Sequence, residues 1–517
     1  MARLYEYQGK ELLKQFKIPV PQGSVARTPE EARQIAEGIP GETMVKAQAW
    51  VTGRAGLGGI KKASNPAQAE EAARHMLGMK IKNFTVEQVL VEQRLEIARE
   101  FYAGIIIDDA AQQPVVLFSS IGGTGIEEIA AAHPDRVARM HVDVGTGLLE
   151  FEARDLVRRT GIAGQLQVDL GNLLVSLYNL AHQYDGRSAE INPLVQLSDG
   201  KLMAADCRVT VDDYGVFRHK DLGIEIAREY DRPPTQLEKI AYKVEANDYR
   251  GTFYYIQMAE GFQKGEGYVG FHGAGGGGSM MSMDAIMRQG YKLATFVDTS
   301  GNPPASKVYR AAKLVLATGP IDGYFGSGSG VASQEQFHSA RGFVKALLEA
   351  QIDVPVVIRL GGNAEDKAIE ILEWLNGWIP APVEGYKKDN PPDYCAGRLH
   401  ALIQEGKQIE PKSLPARQRA GEPRIYQFAT VTGGTVSYDH SICAGCESKI
   451  CVKECVPKIL SLNDEGGPVL NISAEEAKKG RCSECLACEV DCFFKGAGGA
   501  TIVLPILGLD EYLTAVR

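Results

Sequence analysis

Eight of the ten cysteines fall between Cys443 and Cys492, at the spacing of metal ligands rather than of disulfides. Cys443, Cys446, Cys451 and Cys455 follow C-x2-C-x4-C-x3-C, with Pro457 two positions on. Cys482, Cys485, Cys488 and Cys492 follow C-x2-C-x2-C-x3-C. Two-residue gaps let three thiolates wrap successive corners of one iron–sulfur cubane while the fourth crosses to a sister cluster. The alternative is two tetrahedral zinc sites, but zinc ribbons pair one C-x2-C with a second, distant C-x2-C, which two compact sets of four fit poorly. A secreted disulfide scaffold would not leave Cys207 and Cys395 alone in the first 442 residues. Such clusters serve electron transfer or structure, and spacing does not choose between them.

Two further stretches suit phosphate and a hard cation. VKAQAWVTGRAGLGGIKKA carries Lys46, Arg54 and Lys61 in a glycine-rich run. Glycines admit phosphate oxygens to the backbone and the cations neutralise them, although hairpins share the pattern and it is neither a Walker A loop nor G-x-G-x-x-G. In AEINPLVQLSDGKLMAADCR, Glu190 and Asn192 end one strand before Pro193, and Asp206 ends the next. Antiparallel neighbours place Asn192 and Asp206 side by side, an amide oxygen and a carboxylate suited to the Mg²⁺ that holds ATP phosphates. The plain alternative is two polar residues on a sheet edge.

These residues need elements to position them. Residues 4–16 carry helical spacing up to the prolines of KIPVPQG, and NPAQAEEAARHML reads as a helix with Asn65 as cap and Pro66 in its first turn. TMVKAQAW, VLVEQRL, EFYAGIII and PVVLFSS read as strands of an α/β or α+β domain ending near residue 235. From residue 250 strands and helices alternate: YVGFHGAGGGGS, MSMDAIMRQG, KLATFVDTSGN, SKVYRAAKLVLAT, DGYFGSGSG, SARGFVKALLEAQ, VPVVIRLGGN. That rhythm predicts a parallel sheet with ligands at its C-terminal strand ends. Residues 406–424 contain three prolines and read as a linker, and ATIVLPIL reads as the last strand.

Composition narrows the function. The formal charge of −9 opposes global binding to nucleic acid or an anionic membrane. No stretch reaches the roughly 18 apolar residues of a membrane span. The opening MARLYEYQGKELLKQF lacks the apolar core of a signal peptide, so a cytoplasmic protein is expected.

The first 405 or so residues resemble the β-subunit of succinyl-CoA synthetase, among the ADP-forming acyl-CoA ligases. The resemblance rests on LYEYQGKELL, VKAQ…GR…GGIK, VLVEQRLEIAREFYAG, EINPLV, HGAG and VPVVIRL in that order. The tail is similar, in motif, to bacterial two-cluster ferredoxins. Together they imply an α/β multidomain chain: ATP-grasp over 1–240, a flavodoxin-like CoA-ligase domain over 241–405, a linker over 406–432 and a two-[4Fe–4S] ferredoxin domain over 433–517. The resemblance implies that Lys46, Gly53 and Arg54 contact the phosphates of ATP, Glu92 lies at the adenine strand and Glu100 faces the nucleotide. Asn192 and Asp206 would hold Mg²⁺, and Glu190 would steady a phosphohistidine visiting from an α-type subunit that shares coenzyme A. One cluster would take Cys443, Cys446, Cys451 and Cys492, the other Cys482, Cys485, Cys488 and Cys455. The implied reaction joins a carboxylic acid to CoA with conversion of ATP to ADP and phosphate.

Departures from that family bear on the substrate. No α-type histidine loop is present, and His272 is the only one of nine histidines in a glycine loop. It reads as a substrate contact, as a less favoured phosphoryl acceptor, or as a strand-end residue facing solvent. GSGSG at 326–330 replaces the acid-binding turn, although amides of Gly326, Gly328 and Gly330 can still bind a carboxylate. Glutamates are missing at Gly361, Ile121 and Gly125. The acid pocket is rebuilt, which argues against succinate. Ligation needs no electrons, so the clusters imply docking, stability or contact with a ferredoxin-linked oxidoreductase. A second reading is an iron–sulfur electron-transfer protein whose ATP-grasp body couples nucleotide turnover to reduction of a partner. Cys207, Trp374 and Trp378 read as packing residues.

Overall fold

The computed structural model describes every residue except 52, 124–125, 229, 231, 329, 414–416 and 517. Gly125 and Ser329 therefore lie outside the described residues. The chain forms two compact units, Met1–Pro233 and Pro234–Arg517.

In the first unit a four-stranded antiparallel sheet runs in the order Gly23–Ala26, Val89–Gln93, Thr43–Ala47, Ile60–Ala63. Helices Pro29–Glu37 and Pro66–Met76 cover one face with alanines and Met76. Thr28 caps the first of these helices, and the Asn65 side chain accepts from Gln68 N at the start of the second. A larger antiparallel sheet follows, ordered Ala2–Arg3, Cys207–Val211, Gly186–Leu197, Ile97–Asp108, Gln113–Ser119, Val137–His141. Helix Glu6–Gln15 lies against Cys207–Val211 of this sheet. Gly9 permits that approach, because a Cβ there would stand 2.8 Å from the Cys207 sulfur.

The second unit is built on a six-stranded sheet ordered Tyr254–Gln257, Lys292–Asp298, Tyr268–Ala274, Gly323–Gly328, Val356–Arg359, Val383–Tyr386. Its last five members are mutually parallel, in the doubly wound order 2-1-3-4-5. The strand order reverses between Tyr268–Ala274 and Gly323–Gly328, the place where such sheets open a ligand crevice. The glycine run expected as loop is instead the first turn of helix Gly276–Arg288, and only Gly275, at φ +92°, makes the corner.

The cysteine-bearing tail is antiparallel, ordered Ile425–Ala429, Thr435–Asp439, Ala500–Val503. Its pairing begins inside the stretch 406–432 assigned to the linker, so the ordered tail starts near residue 425. Helix Ala487–Lys495 lies beneath this sheet and against helix Phe337–Ala350 of the parallel domain. A terminal helix, Leu509–Val516, which the sequence reading lacked, packs on Gln236–Ala246. One continuous apolar core runs from the parallel sheet into the tail, joining Phe343 and Ile358 to Tyr438, Val490 and Ile502. Among the described residues no helix is long and apolar enough to cross a membrane.

Candidate functional site

In the first unit, charges from distant parts of the chain meet in one buried cluster. Helix Glu6–Gln15 supplies Glu6 and Lys10, the central strand of the small sheet supplies Lys46, and its neighbour supplies Glu92. The Lys46 ammonium stands 2.9 Å from Glu6 Oε1 and 2.7 Å from Glu92 Oε1. Lys10 stands 2.8 Å from Glu6 Oε1 and 2.6 Å from Glu92 Oε2. Both lysines also donate to the Ala205 carbonyl, at 2.8 and 2.9 Å. Arg54 extends the cluster outward, donating to Glu6 Oε2 at 2.7 Å and to Asp206 at 2.9 and 3.1 Å. Burial works against the Glu6 charge, yet Lys10, Lys46 and Arg54 together hold its carboxyl well below the usual carboxylate range. Asp206 moves the other way: burial, then Glu6, raise it despite the cations.

Asn192 and Asp206 are adjacent, with Asn192 N donating to Asp206 O at 3.2 Å. The Asn192 amide nitrogen donates to Gly123 O at 3.1 Å. Glu190 sits two positions back on the same strand, opposite Gly104 on one side and Arg208 on the other. Glu100 is exposed on strand Ile97–Asp108, opposite Val195. Glu92 turns its carboxylate into the lysine pair. A cavity of about 230 Å³ beside the cluster is lined by Lys10, Glu92, Tyr7, Lys14, Gly23 and Leu90, without Lys46. Glu6 and Lys10 were missed in the sequence; their only local signal is the i, i+4 spacing of opposite charges in EYQGK. Cys207 is buried, as expected, and burial pushes its thiol up.

At the reversal of the parallel sheet the structure corrects the expectation for His272. The strand continues to Ala274, so His272 lies inside the layer and is 1% exposed. Its Nδ1 shares a 2.8 Å hydrogen bond with the Tyr324 hydroxyl, and its ring sits 4.7 Å from that of Phe343. Burial lowers its pKa to about 3 and keeps the ring neutral. It is not a strand-end residue facing solvent, and its Nε2 has no hydrogen-bond partner among the described residues. Gly326 and Gly328 belong to strand Gly323–Gly328, flanked by strands on both sides as far as Ser327, so Gly326 does not offer a free amide turn. Gly330, at φ +81°, lies against the Arg359 guanidinium. Arg359 in turn donates to Gly328 O, Lys388 O and Asn390 O. The free amides at this end come from the start of helix Gly276–Arg288, oriented by Asp298, whose Oδ1 accepts from Gly275 N and Ser300 N.

The eight tail cysteines are all reduced thiols, buried or half-buried. Burial raises the Cys443 thiol to about 12, and Cys492, Cys451 and Cys446 are its electrostatic neighbours. Cys485, Cys482 and Cys455 are likewise the neighbours of Cys488, after burial. Cys455, Cys482, Cys485 and Cys488 line one apolar cavity with Phe428, Tyr438, Ile459 and Ile502. Among the described residues no three ligand side chains close on a single metal ion. A zinc site would need thiolates about 3.8 Å apart, given a Zn–S bond of about 2.3 Å. The donor set along this cavity is four thiols, the ligand chemistry that an iron–sulfur cluster uses. Trp374 and Trp378 pack against Phe494 and Phe493.

Comparison with known proteins follows the same division. Residues 3–196 match the model of the ATP-grasp domain. The β-subunit of a GDP-forming succinate–CoA ligase from Thermus thermophilus is 40% identical over 386 residues, covering 74% of this chain and 97% of the relative. The β-subunit of an ADP-forming succinate–CoA ligase from Rubrobacter xylanophilus is 37% identical, covering 71% and 92%. Among solved structures, ATP citrate lyase from Methanothrix soehngenii, in complex with citrate and coenzyme A, shares the fold. Its TM-score is 0.61 at 18% identity, over 78% of this chain and 99% of that one.

Proposed function

The chain belongs to the succinate–CoA ligase β-subunit family, and from that premise we propose that it is the nucleotide-binding subunit of an ADP-forming acyl-CoA ligase with a two-cluster iron–sulfur tail. The observation that carries the nucleotide half is Asp206, beside Asn192 and held by Arg54 at the edge of a cluster that also contains Lys46. With three cations set against three carboxylates, the cluster is balanced without a ligand. Asp206 and Asn192 would hold a Mg²⁺ that neutralises the phosphates, while Arg54 would turn from Asp206 toward phosphate oxygens and Gly53 would admit the phosphate to the backbone. Lys46 then divides its protons between Glu6, Glu92 and the nucleotide. Glu100 would contact the nucleotide, and Glu190, two positions before Asn192, would orient the histidine of an α-type partner that carries the phosphoryl group away. The acid and coenzyme A react beyond this chain's nucleotide site, at the C-terminal ends of the parallel strands, where the amide-rich start of helix Gly276–Arg288 suits an anionic group. The acid is not expected to be succinate, because the glycine turn and the missing glutamates change that pocket.

When bound, the two [4Fe–4S] clusters would supply one-electron transfer, held by Cys443, Cys446, Cys451 and Cys492 and by Cys455, Cys482, Cys485 and Cys488. The sorting of the thiols into two sets supports that reading, and it is also what favours the second one, in which nucleotide turnover is coupled to reduction of a partner.

Incubation with a histidine-bearing α-type subunit, Mg²⁺, ATP, CoA and a panel of carboxylic acids should give ADP that depends on both acid and CoA. Absence of that dependence over the whole panel would sink the ligase reading. Asp206→Ala should abolish Mg²⁺-dependent turnover and leave iron content unchanged. Anaerobic preparation should yield brown protein with about eight iron atoms per chain, and a colourless, iron-free but folded chain would remove the clusters.

A further inference from the structure

The charge around the second thiol set runs against that of the whole chain. Lys453 and Lys458 are exposed on either side of Cys455, and Lys478, Lys479 and Arg481 are exposed just before Cys482. The two groups adjoin. The Lys458 ammonium donates to Lys453 O at 2.7 Å, and the Asn471 amide donates to Lys458 O at 3.1 Å, which seats the segment leading to Arg481 beside it. The carboxylates on that segment are Glu475, paired with Lys479 at 3.4 Å, and Glu476, which caps its own turn by accepting from Ser473 N. Glu454 is turned away, held by Lys367 at 2.6 Å. Five exposed cations thus fringe one site on a chain of net charge −9. Val456, 41% exposed, gives the fringe an apolar centre. The adjoining Cys455 and Pro457 line the cavity of Cys482, Cys485 and Cys488, so the basic fringe surrounds the approach to the thiols. Around the first set the cations are fewer: Lys453 is shared with it through Cys451, and Lys495, three positions beyond Cys492, is paired with Glu370 at 2.9 Å. Glu447 is the exposed charge beside Cys446, and the Lys449 ammonium is tied to the carbonyls of Cys443 and Gly466.

We propose that this face is the docking surface for a small acidic one-electron carrier, which exchanges electrons with the cluster held by Cys455, Cys482, Cys485 and Cys488. The proposal rests on the cluster reading above. One electron leaves the reduced carrier and reduces one cluster, with no bond made and no proton moved. Opposite charges steer the encounter, Val456 provides the dry contact, and association weakens with salt as the Debye length shrinks.

The test uses the full-length, iron-loaded chain under anaerobic conditions, with a reduced acidic bacterial ferredoxin as probe and stopped-flow absorbance as readout. Reversing four charges (K453E/K458E/K478E/K479E) should slow reduction at least about tenfold at low ionic strength. The gap should close at high salt, and the neutral set (K453Q/K458Q/K478Q/K479Q) should fall between. Iron content and bleaching by dithionite should match wild type, which shows that the clusters are intact. Equal rates for wild type and the reversed variant at low salt would overturn the surface. So would a wild-type chain that dithionite bleaches but ferredoxin does not reduce. A folded wild-type chain without iron would instead sink the cluster reading on which the surface depends.

Discussion

At the scale of single residues, Glu6 is the side chain with the largest consequence for its size. Its two oxygens bind three cations within 2.9 Å, and it is 5% exposed. Removing one partner of a buried ionic cluster leaves uncompensated charge, which costs about 3–5 kcal/mol. Glu6→Gln should therefore lower the urea stability of the first unit by that order, measured without nucleotide. The sign of the pH dependence follows from the depressed carboxyl. A group whose folded value lies below its unfolded one stabilises the fold above the unfolded value, about 4.3 for glutamate, and loses that contribution as pH falls through the folded value. Wild-type stability should drop on acidification below about pH 4.5, and the Gln variant should show a shallower acid limb. Equal acid limbs would mean that Glu6 carries no such charge. The sequence disclosed Lys46, Arg54, Asn192 and Asp206 because each sits in a recognisable local string. It hid Lys10 and Glu6, whose partners beyond each other lie 40 to 195 residues away.

At the scale of elements, the local rules worked where one segment decides its own conformation. The Asn65 cap and the βα alternation after residue 250 are of that kind. They failed where neighbours decide. Glycines 276–278 read as loop, yet the preceding strand and Asp298 set Gly275 as the corner and the helix begins at once. Ile425–Ala429 follows a proline-rich stretch, but Thr435–Asp439 offers it an edge to pair with. The decisive element is helix Ala487–Lys495, which carries one cysteine of each set, Cys488 and Cys492. Between them Asp491 accepts from the fully buried Arg341 at 2.7 and 3.0 Å, while Glu489 meets Lys345 at 2.7 Å. Arg341 and Lys345, one turn apart on helix Phe337–Ala350, thus grip the cysteine helix from the parallel domain. Arg341→Met should cost about 3–5 kcal/mol by stranding Asp491, and adding Asp491→Leu should restore much of it. Thermal unfolding of both variants measures this coupling. Additive losses in the double variant would show that the two side chains act independently.

At the scale of the whole molecule, the question is whether the tail is an attachment to a ligase subunit or part of its body. The curated relatives are matched over 97% and 92% of their own lengths while covering 74% and 71% of this chain, so they manage without about a quarter of it. That comparison alone suggests a detachable module on a proline-rich tether. The packing argues otherwise. The apolar core of the second unit is continuous from Val344 and Ile371 to Tyr438, Ile459 and Ile502. Beyond the Arg341 pair, the Arg310 guanidinium donates to Thr432 Oγ1 at 2.7 Å and to Pro505 O at 3.2 Å. Cutting the chain after Glu405 would expose Arg341 and Arg310 without their carboxylates and open one side of a core that has no polar surface to replace it. The truncated chain should keep nucleotide binding in Met1–Pro233, a compact unit by itself. Its remaining parallel domain should lose amide protection in helices Ala305–Leu316 and Phe337–Ala350, read by hydrogen exchange, and should aggregate at concentrations where the full chain does not. A truncated chain that stays monodisperse with both helices protected would show that the tail rides on a finished domain. The cysteine-bearing region would then be a passenger of the ligase fold rather than one wall of it.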